Sequence, residues 1–368
     1  MSLEILQIVP RLPPAINGVG DYATLLAKQL LSDHRVSSRF LVCDPTWHGD
    51  SELDGFPVAR LQRREANHLA ETLTRNNLPR IALLHYVGYG YQGRGCPSWL
   101  VDGLKLWKRA DSEHELVTMF HELFAFGPPW RSSFWTSYTQ RRLAADLAKD
   151  SNSCVTNMRQ YANWLGRRAY KHLENVPVIP VFSTIGEGKP KESTPLNGRP
   201  PQMVIFGGEI WVNELLRKQS GETYRCCDAL GIERIVTVGS PLGTAPRRSR
   251  IPIDELGYLR SDRVVEVIKS SRIGLMNYYR GYLGKSSVYA AYAALGVLPL
   301  LSETNPSNAD GCVDGKTYLS AKNITERTNI EFLQEIVTNA RAWYAKHSLP
   351  RTAEVYATIL QARSQIAC

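Results

Sequence analysis

The chain has 368 residues, of which 43% are hydrophobic and 21% charged, and its formal net charge is +9 at pH 7. This length exceeds what one hydrophobic core usually organises, so we expect two domains of ordinary size. No apolar run could span a bilayer, and the N-terminus enters a strand without a basic region or cleavage site, which predicts a cytoplasmic protein. The cations come in small groups without a long basic tract, so we expect anionic small molecules and peripheral contact with an anionic membrane at its inner face, and no nucleic acid.

Strands and helices alternate along the first half of the chain. The predicted strands lie at 5–9, 37–43, 81–86, 115–120, 154–157 and 176–181. The predicted helices lie at 21–31, 66–74, 99–109, 133–148 and 160–165. This order predicts a doubly wound parallel sheet in an N-terminal, Rossmann-like domain, residues 1–185.

The amino-acid composition changes at residues 186–202, which contain four prolines, three glycines and almost no apolar residues. We interpret this stretch as a linker. The α/β pattern then restarts in a second Rossmann-like domain, 203–346. Its predicted strands lie at 204–208, 234–238, 273–276, 297–301 and 317–319, and its predicted helices at 212–218, 263–270 and 288–295. A final helix in 347–368 could cross back to the first domain.

The segment 281–287, Gly-Tyr-Leu-Gly-Lys-Ser-Ser, runs from a predicted strand into a predicted helix. Lys285, the hydroxyls of Ser286 and Ser287 and the amides of a helix N-terminus would form a seat for a phosphate or diphosphate. A Walker A loop is the rival interpretation, but Tyr279 stands where that motif needs a glycine.

A second glycine segment, with Gly18 and Gly20, leads from the first strand into a helix. It satisfies the dinucleotide fingerprint, with Asp44 after the second strand, but several residues including three prolines separate it from its strand, which disfavours NAD. We favour a flap that reaches over a cleft. The alternative is that the two glycines only form a turn.

Ligands bind at the carboxyl ends of strands in open α/β sheets, so a cleft between the two domains is the predicted site. His121 follows one of those strands, and His85 is the reserve candidate. Without further information, His121 is equally well read as a core histidine. Glu122 could orient His121 or act as a base, or it could be a surface or capping residue. No spacing of histidines, cysteines or carboxylates indicates a metal site.

These features resemble the GT-B fold, nucleotide-sugar-dependent glycosyltransferases of the family-four type, in a bacterial form with an atypical donor-site motif. The resemblance rests on the glycine flap that ends at Tyr22, on Phe120-His121-Glu122, on the glycine pair 207–208 and on the late loop and helix. It implies two doubly wound domains facing across a cleft and a hexosyltransferase-like enzyme. That enzyme would move a sugar from a UDP- or GDP-sugar to a sugar, lipid or polysaccharide acceptor, with retention and without metal or cofactor.

The resemblance also implies roles for individual residues. His121 would contact the transferred sugar, with Glu122 as its catalytic neighbour. Asp21, Tyr22 and Arg131 would lie on the acceptor side. The residues expected to bind the donor and its phosphates are Gly18, Gly20, Gly207, Gly208, Tyr282, Lys285, Ser286 and Ser287.

The chain departs from the family pattern at the donor site. Members carry an arginine and a lysine directly after the glycine pair, whereas Glu209 follows here and Arg217 and Lys218 are the nearest cations. Members also carry two glutamates around the late helix, where this chain has none between Tyr282 and Tyr289. The alternative function is therefore a catalytically silent GT-B protein that acts as a binding or regulatory partner. A nucleotide-sugar epimerase is a third reading.

Several aromatic residues cluster between positions 124 and 135. We expect them to pack in a core, the alternative being an apolar acceptor wall or a membrane-facing edge. They are Phe124, Phe126, Trp130, Phe134 and Trp135.

Overall fold

The computed structural model describes residues 3–75, 78–125, 127, 130–168, 176–188, 194–241, 250–278, 281–302, 308–325 and 328–366. The chain divides into two compact units: Met1–Ile179 together with Leu349–Cys368, and Pro180–Ser348. Each unit holds a mainly or wholly parallel sheet with helices between its strands, so the α/β class expected from the sequence is confirmed.

The first unit contains seven strands. They are β1 Leu3–Val9, β2 Val36–Val42, β3 Glu52–Leu53, β4 Phe56–Arg60, β5 Ile81–Tyr86, β6 Glu115–Phe120 and β7 Ser153–Thr156. Its first six helices are α1 Gly18–His34, α2 Ala66–Leu73, α3 Gly88–Tyr91, α4 Ser98–Ala110, α5 Ser132–Asp150 and α6 Arg159–Arg168.

The strand order in this sheet is β3-β4-β2-β1-β5-β6-β7, and only β3 runs antiparallel to its neighbour. Strands β5 and β6 are buried along their whole length, as expected for strands covered on both faces. Leaving β3 aside, the order is that of a doubly wound dinucleotide-binding sheet, whose winding reverses between β1 and β5. Ligands bind such sheets beside the carboxyl ends of those two strands.

The second unit contains six strands, all parallel: β8 Gln202–Gly207, β9 Arg234–Gly239, β10 Ile253–Glu255, β11 Ile273–Met276, β12 Leu298–Leu301 and β13 Leu319–Ser320. Its helices are α7 Glu209–Asn213, α8 Ser220–Ala229, α9 Ser261–Ser270, α10 Ser287–Leu295 and α11 Ile330–Ala345. A π-helical turn, Glu214–Lys218, continues α7. The order β10-β9-β8-β11-β12-β13 repeats the doubly wound pattern and places the reversal between β8 and β11.

The last helix, α12, spans Leu349–Ile366 and belongs to the first unit, where it packs against α1. Tyr356 of α12 and Tyr22 of α1 are both almost fully buried at this contact. The core of the first unit is therefore completed by the end of the chain.

Residues 194–202 of the expected linker are packed into the second unit. The Leu196 amide donates to Gln334 Oε1 at 2.8 Å, and the Leu196 side chain is 1% exposed. The Arg199 guanidinium donates to Ser271 O at 3.0 Å, and its burial lowers its pKa to about 10. The prolines and glycines that suggested a linker form tight turns, and hydrogen bonds hold these turns against the second unit. Residues 189–193 lie outside the described part of the chain.

The strand expected at 176–181 is wrong. Only an isolated bridge joins Thr156 and Val178, because Pro177 and Pro180 have no amide hydrogen to donate to a ladder.

Candidate functional site

A row of hydrogen-bonded polar side chains crosses four neighbouring strands inside the first unit. Gln7 Nε2 donates to Ser38 Oγ at 2.9 Å, and Gln7 Oε1 lies 2.8 Å from His85 Nε2. His85 Nδ1 in turn lies 3.2 Å from Nε2 of His121, the residue directly after β6. All four side chains are buried, and His121, the most exposed of them, shows 6% of its surface. The row ends at the carboxyl edge of the sheet, beside the winding reversal.

The row fixes the position of a proton. Burial lowers the pKa of His85 to about 3, so this ring is neutral at pH 7 and carries one proton. The Gln7 oxygen accepts the hydrogen bond of that proton at Nε2, which leaves His85 Nδ1 as an acceptor. His121 must therefore donate from its own Nε2, and a neutral His121 has its basic lone pair on Nδ1.

The backbone around His121 is held from both neighbouring strands. The His121 amide donates to Tyr86 O at 3.0 Å, at the end of β5. The side chain of Asn157, which follows β7, donates to His121 O at 3.2 Å. Sequence reasoning named His121 and kept His85 in reserve, but it missed Gln7 and Asn157. The available signal was a glutamine inside an apolar central strand, since a buried amide needs partners.

Tyr22 packs edge-on against His121, with ring centroids 4.9 Å apart. The Tyr22 side chain is 2% exposed, and burial raises the pKa of its hydroxyl. Helix α12 covers the residue, so the Tyr22 side chain faces the protein interior and supports the histidine pair. Its expected acceptor-side role stays a prediction.

The N-terminus of α1 is already capped by the chain itself. Asn17 Oδ1 accepts hydrogen bonds from the amides of Val19 at 3.1 Å and Gly20 at 2.9 Å. The Gly20 amide is thus engaged by the cap, and its expected role near the donor phosphate stays a prediction. A Cβ at Gly20 would lie 2.4 Å from Arg11 O, whereas one at Gly18 would meet nothing within 4 Å. Gly20 is a packing residue, and Gly18 keeps its place in the candidate site.

Asp44 stands where a dinucleotide site places its ribose-binding carboxylate. Its carboxylate is already bonded to other residues of the first unit. Its oxygens lie 2.5 Å from Arg11 Nε and 3.2 Å from an Arg64 nitrogen, and Thr46 donates to it from both its amide and its hydroxyl. Burial alone would raise the pKa of Asp44, but the bonds from Thr46 and Arg11 hold it below its usual value. A carboxylate bonded in this way holds the loop after β1, which agrees with disfavouring an NAD site.

The remaining predicted residues of the first unit differ in exposure. Asp21 is half-buried in the first turn of α1, where burial raises its pKa. Glu122 is also half-buried, and its amide lies 3.4 Å from Tyr86 O. Arg131 is exposed and directly precedes α5.

The aromatic cluster mostly faces outward at the start of α5. Trp130 is 84% exposed and Trp135 73%, and Tyr138, one turn further along α5, is 78% exposed. The expectation that this cluster packs in a core is wrong for these tryptophans. Phe124 is half-buried against Trp164 at a centroid distance of 5.1 Å. Phe126 lies outside the described residues.

In the second unit, glycines stand at the carboxyl edge of the sheet next to the winding reversal. Strand β8 ends at Gly207, with a φ of +153°, and Gly208 follows; a Cβ at either would meet nothing within 4 Å. At the end of the next strand, a Cβ at Gly239 would lie 2.2 Å from Gly207 O. Glycine at 239 therefore lets the backbones approach, and the glycine pair leaves open space above the sheet.

The segment 281–287 forms a 3₁₀ turn, Leu283–Lys285, followed directly by α10. Gly284 O accepts the Val181 amide at 2.8 Å, which fastens the turn. Ser286 is buried and caps α10, its Oγ accepting from the Tyr289 amide at 3.2 Å. The Ser286 hydroxyl is thus part of the helix cap, and its expected contact with the ligand stays a prediction.

The other members of this segment remain accessible. Lys285, Ser287 and Tyr282 are half-buried, and Lys285 Nζ lies 5.7 Å from the centre of the Tyr282 ring. The first turn of a helix leaves amides without intrahelical acceptors, and its dipole favours an anion. A lysine, a hydroxyl and a helix N-terminus together can neutralise a diphosphate. Lys218, considered as a substitute cation, is bonded to Glu214 at 2.7 Å.

Sequence comparison identifies no relative, since no protein-family profile and no curated protein matches the chain. Comparison with solved structures finds proteins of similar fold. Alpha,alpha-trehalose 6-phosphate synthase from Burkholderia multivorans matches with a TM-score of 0.64 and 13% identity, over 100% of both chains. A UDP-N-acetylglucosamine 2-epimerase matches with a TM-score of 0.57 and 13% identity, over 99% of this chain and 98% of that chain.

A third neighbour is an alpha-glucosyltransferase solved with UDP-glucose and DNA containing an abasic site. It has a TM-score of 0.60 and 9% identity, over 98% of this chain and 99% of that chain. These neighbours are GT-B proteins, and the chain shares their fold over nearly its whole length, so the expected GT-B fold is confirmed. The finer likeness to family four stays a prediction, as does the absence of a nucleic-acid partner.

Two further findings concern the described residues alone. None of their histidine, cysteine, aspartate and glutamate side chains forms a group of three or more that could hold a metal ion. None of their helices has both the length and the apolar character needed to cross a membrane.

Proposed function

We propose, taking the GT-B fold as the premise, that this protein transfers a sugar from a UDP- or GDP-sugar to a sugar, lipid or polysaccharide acceptor, with retention and without a metal ion. The observation that carries the proposal is the N-terminus of α10, where the half-buried Lys285 and Ser287 stand beside the first amides of the helix. The neighbours that use UDP-sugars support the same substrate class.

In this proposal the second unit holds the donor. Gly207 and Gly208 let the nucleotide approach the edge of the sheet, and Tyr282, Lys285, Ser287 and the first amides of α10 contact its diphosphate. The bond between the sugar and the diphosphate breaks, the acceptor oxygen bonds to the sugar, and the acceptor proton leaves with the departing phosphate. Fixed cations and amides stabilise that departing charge without reorganising, which is the role that a metal fills elsewhere.

The first unit contributes His121, Gly18 and the residues around them. The resemblance gives His121 a contact with the transferred sugar, and the bond to His85 would hold the ring in place for that contact. Glu122 is the neighbouring carboxylate and remains the second catalytic candidate of this unit. Asp21 and Arg131 remain the acceptor-side candidates.

We also propose that the aromatic face of α5 makes peripheral contact with an anionic membrane. This face consists of Trp130, which lies just before the helix, and of Trp135 and Tyr138 within it. Tryptophan and tyrosine side chains favour the interface between lipid and water, and arginines favour anionic headgroups. Trp130, Trp135 and Tyr138 are exposed beside Arg131, which is exposed as well. A lipid-linked acceptor would then be presented close to the first unit.

The experiment that tests the proposal is a thermal-shift screen with UDP, GDP, ADP and their sugar conjugates. A ligand that binds only the native protein raises its melting temperature. We expect one nucleotide to do so, with the shift lost in Lys285→Ala and kept in Lys322→Ala, which removes an exposed lysine of the same unit. Flat melting curves with all nucleotides would reject the proposal in favour of a silent GT-B protein.

A transfer assay with the nucleotide that binds separates the remaining readings. Release of the nucleoside diphosphate together with a new glycoside establishes a transferase. A changed sugar that stays on the nucleotide would instead identify an epimerase, the activity of one of the structural neighbours.

A further inference from the structure

A cavity of about 500 Å³ lies in the first unit, at the edge of the sheet opposite the histidine row. The last turns of α4, α5 and α12 meet there with the start of β7, next to the start of β6. Its charged lining consists of Lys105, Lys108, Arg109, Lys149, Asp150 and Arg363. The volume is within the range of small-molecule pockets, about 300–1,000 Å³.

Three helices end at the cavity, so the cations there could merely compensate negative helix ends, each worth about half a charge. Asp150 lines the cavity, Glu115 lies behind it at 3.9 Å from Arg363, and Asp146 lies 3.9 Å from Lys149. Five cations still exceed the three carboxylates and the three half-charged helix ends, by about half a charge. Among the described residues, no carboxylate lies within ion-pair distance of Lys105 or Arg109, which act on Asp150 only through space.

Lys108 is held at the cavity by uncharged acceptors. Its Nζ donates to Asn152 Oδ1 at 2.7 Å and to His114 O. Burial lowers the pKa of Lys108, and the charges of Glu115 and Asp150 raise it by less, while Arg363 lowers it. An anion bound in the cavity would lie beside an ammonium group whose hydrogen-bond partners are neutral.

We propose that this cavity binds a compact polyanion carrying two or more phosphate groups. Lysine ammonium groups and the planar forks of arginine are the side chains that bind phosphate most strongly, and five of them surround one concave space. A nucleic acid would need an extended basic stripe, whereas these cations converge. The site is separate from the donor site proposed in the second unit and would make the first unit responsive to a phosphorylated ligand.

The test is calorimetric titration of the full chain with inorganic tripolyphosphate at constant ionic strength. The protein carries Lys285→Ala throughout, so that binding at the proposed donor site does not contribute. Lys105→Ala with Arg109→Ala is compared with Arg260→Ala with Arg263→Ala, which removes the same charge from exposed positions of the second unit. Hydrogen bonds to charged groups are worth about 1.5–3 kcal/mol, so we expect at least about tenfold weaker binding for the first pair and unchanged binding for the second.

Equal weakening by both pairs, or no measurable binding to any protein, would overturn the proposal. Arg109→Glu, a single change at an exposed position, guards against a folding defect in the double variant and should weaken binding at least as much. Vesicles that contain phosphatidic acid provide the second arm. If they bind with the same dependence on Lys105 and Arg109 and tripolyphosphate does not, the ligand is a lipid headgroup and the soluble polyanion is rejected.

Discussion

His85 Nδ1 lies 3.2 Å from His121 Nε2 in the interior of the first unit. The two rings are nearly parallel, at an interplanar angle of 22°, and His85 is completely buried. The position of the proton on His121 therefore depends on the tautomer of His85. The tautomer of His85 is in turn set by its hydrogen bond to Gln7. A residue of the first strand thus decides which nitrogen of His121 is basic.

Replacing Gln7 with methionine should remove the preference of both histidines for one tautomer. The thioether is too weak an acceptor to keep the His85 proton on Nε2. In the wild-type protein we expect ¹⁵N spectra to show the His121 proton on Nε2, and in Gln7→Met a mixture of tautomers. Ser38→Ala leaves the Gln7 oxygen in place and should keep the wild-type pattern. A wild-type His121 protonated on Nδ1 would contradict the derivation.

Acid should destabilise both units through their buried histidines. Burial lowers the pKa of His85 and of His347 to about 3, below the unfolded value of about 6.5. The stability from keeping each ring neutral is fully present above about pH 6.5 and is lost as the pH falls towards 3, by up to about 1.4 kcal/mol per pH unit for each.

Melting curves between pH 8 and pH 4 measure this loss. In His347→Phe the decline of the melting temperature with falling pH should be shallower than in the wild type. His48→Gln, at an exposed histidine, should leave the slope unchanged. Identical slopes for wild type and His347→Phe would show that His347 is not the source.

Gly20 and Gly18 form a matched pair at the start of α1. Gly20→Ala would push a methyl group against Arg11 O, so we expect a loss of about 1–3 kcal/mol, typical of overpacking. Gly18→Ala meets open space and should be neutral or stabilising by up to about 1 kcal/mol. Denaturant unfolding of both variants decides; equal losses would reject the close approach as the reason for glycine at position 20.

Ser286 and Ser287 should separate stability from binding. Ser286→Ala removes the cap of α10 and should cost about 1 kcal/mol of unfolding free energy. Ser287→Ala should leave the melting temperature unchanged but weaken binding of the nucleoside diphosphate that the thermal-shift screen identifies. The reverse outcome, with nucleotide affinity depending on Ser286 alone, would assign the ligand contact to the other hydroxyl.

The aromatic face of α5 should bind anionic vesicles. We expect Trp130→Ala with Trp135→Ala to reduce sedimentation with phosphatidylglycerol vesicles by at least about tenfold in affinity, since each tryptophan loses a large buried area on the membrane. Tyr258→Ala, an exposed aromatic of the second unit, is the control. Unchanged sedimentation of the double variant would remove the membrane assignment.

The sequence predicted the central strands best. Residues 81–86, 115–120 and 273–276 have the expected bounds, because continuous apolar runs specify strands buried on both faces. Strands β3 and β4 were missed although Asp54-Gly55 marks their hairpin, with both residues at positive φ. Helix α8 was missed because its adjacent cysteines and its glycine give only a weak apolar period.

The candidate site was predictable in part. His121 and Lys285 follow from their places after a strand and before a helix, which are local features. The engagement of Gly20 by Asn17 is also local, since it is a helix cap between residues three positions apart, but the burial of Tyr22 under Tyr356 is not. The second depends on a helix more than three hundred positions away along the chain, which no short pattern around Tyr22 reports.

That helix also sets an order of events during synthesis. The first unit is built from two stretches of chain, and the whole of Pro180–Ser348 is translated between them. Its sheet can form early on the ribosome, but the apolar side of α1 stays exposed to solvent until Leu349–Ile366 has been synthesised. The second unit can finish folding while the first is still open, so the half of the molecule that is begun first is closed last.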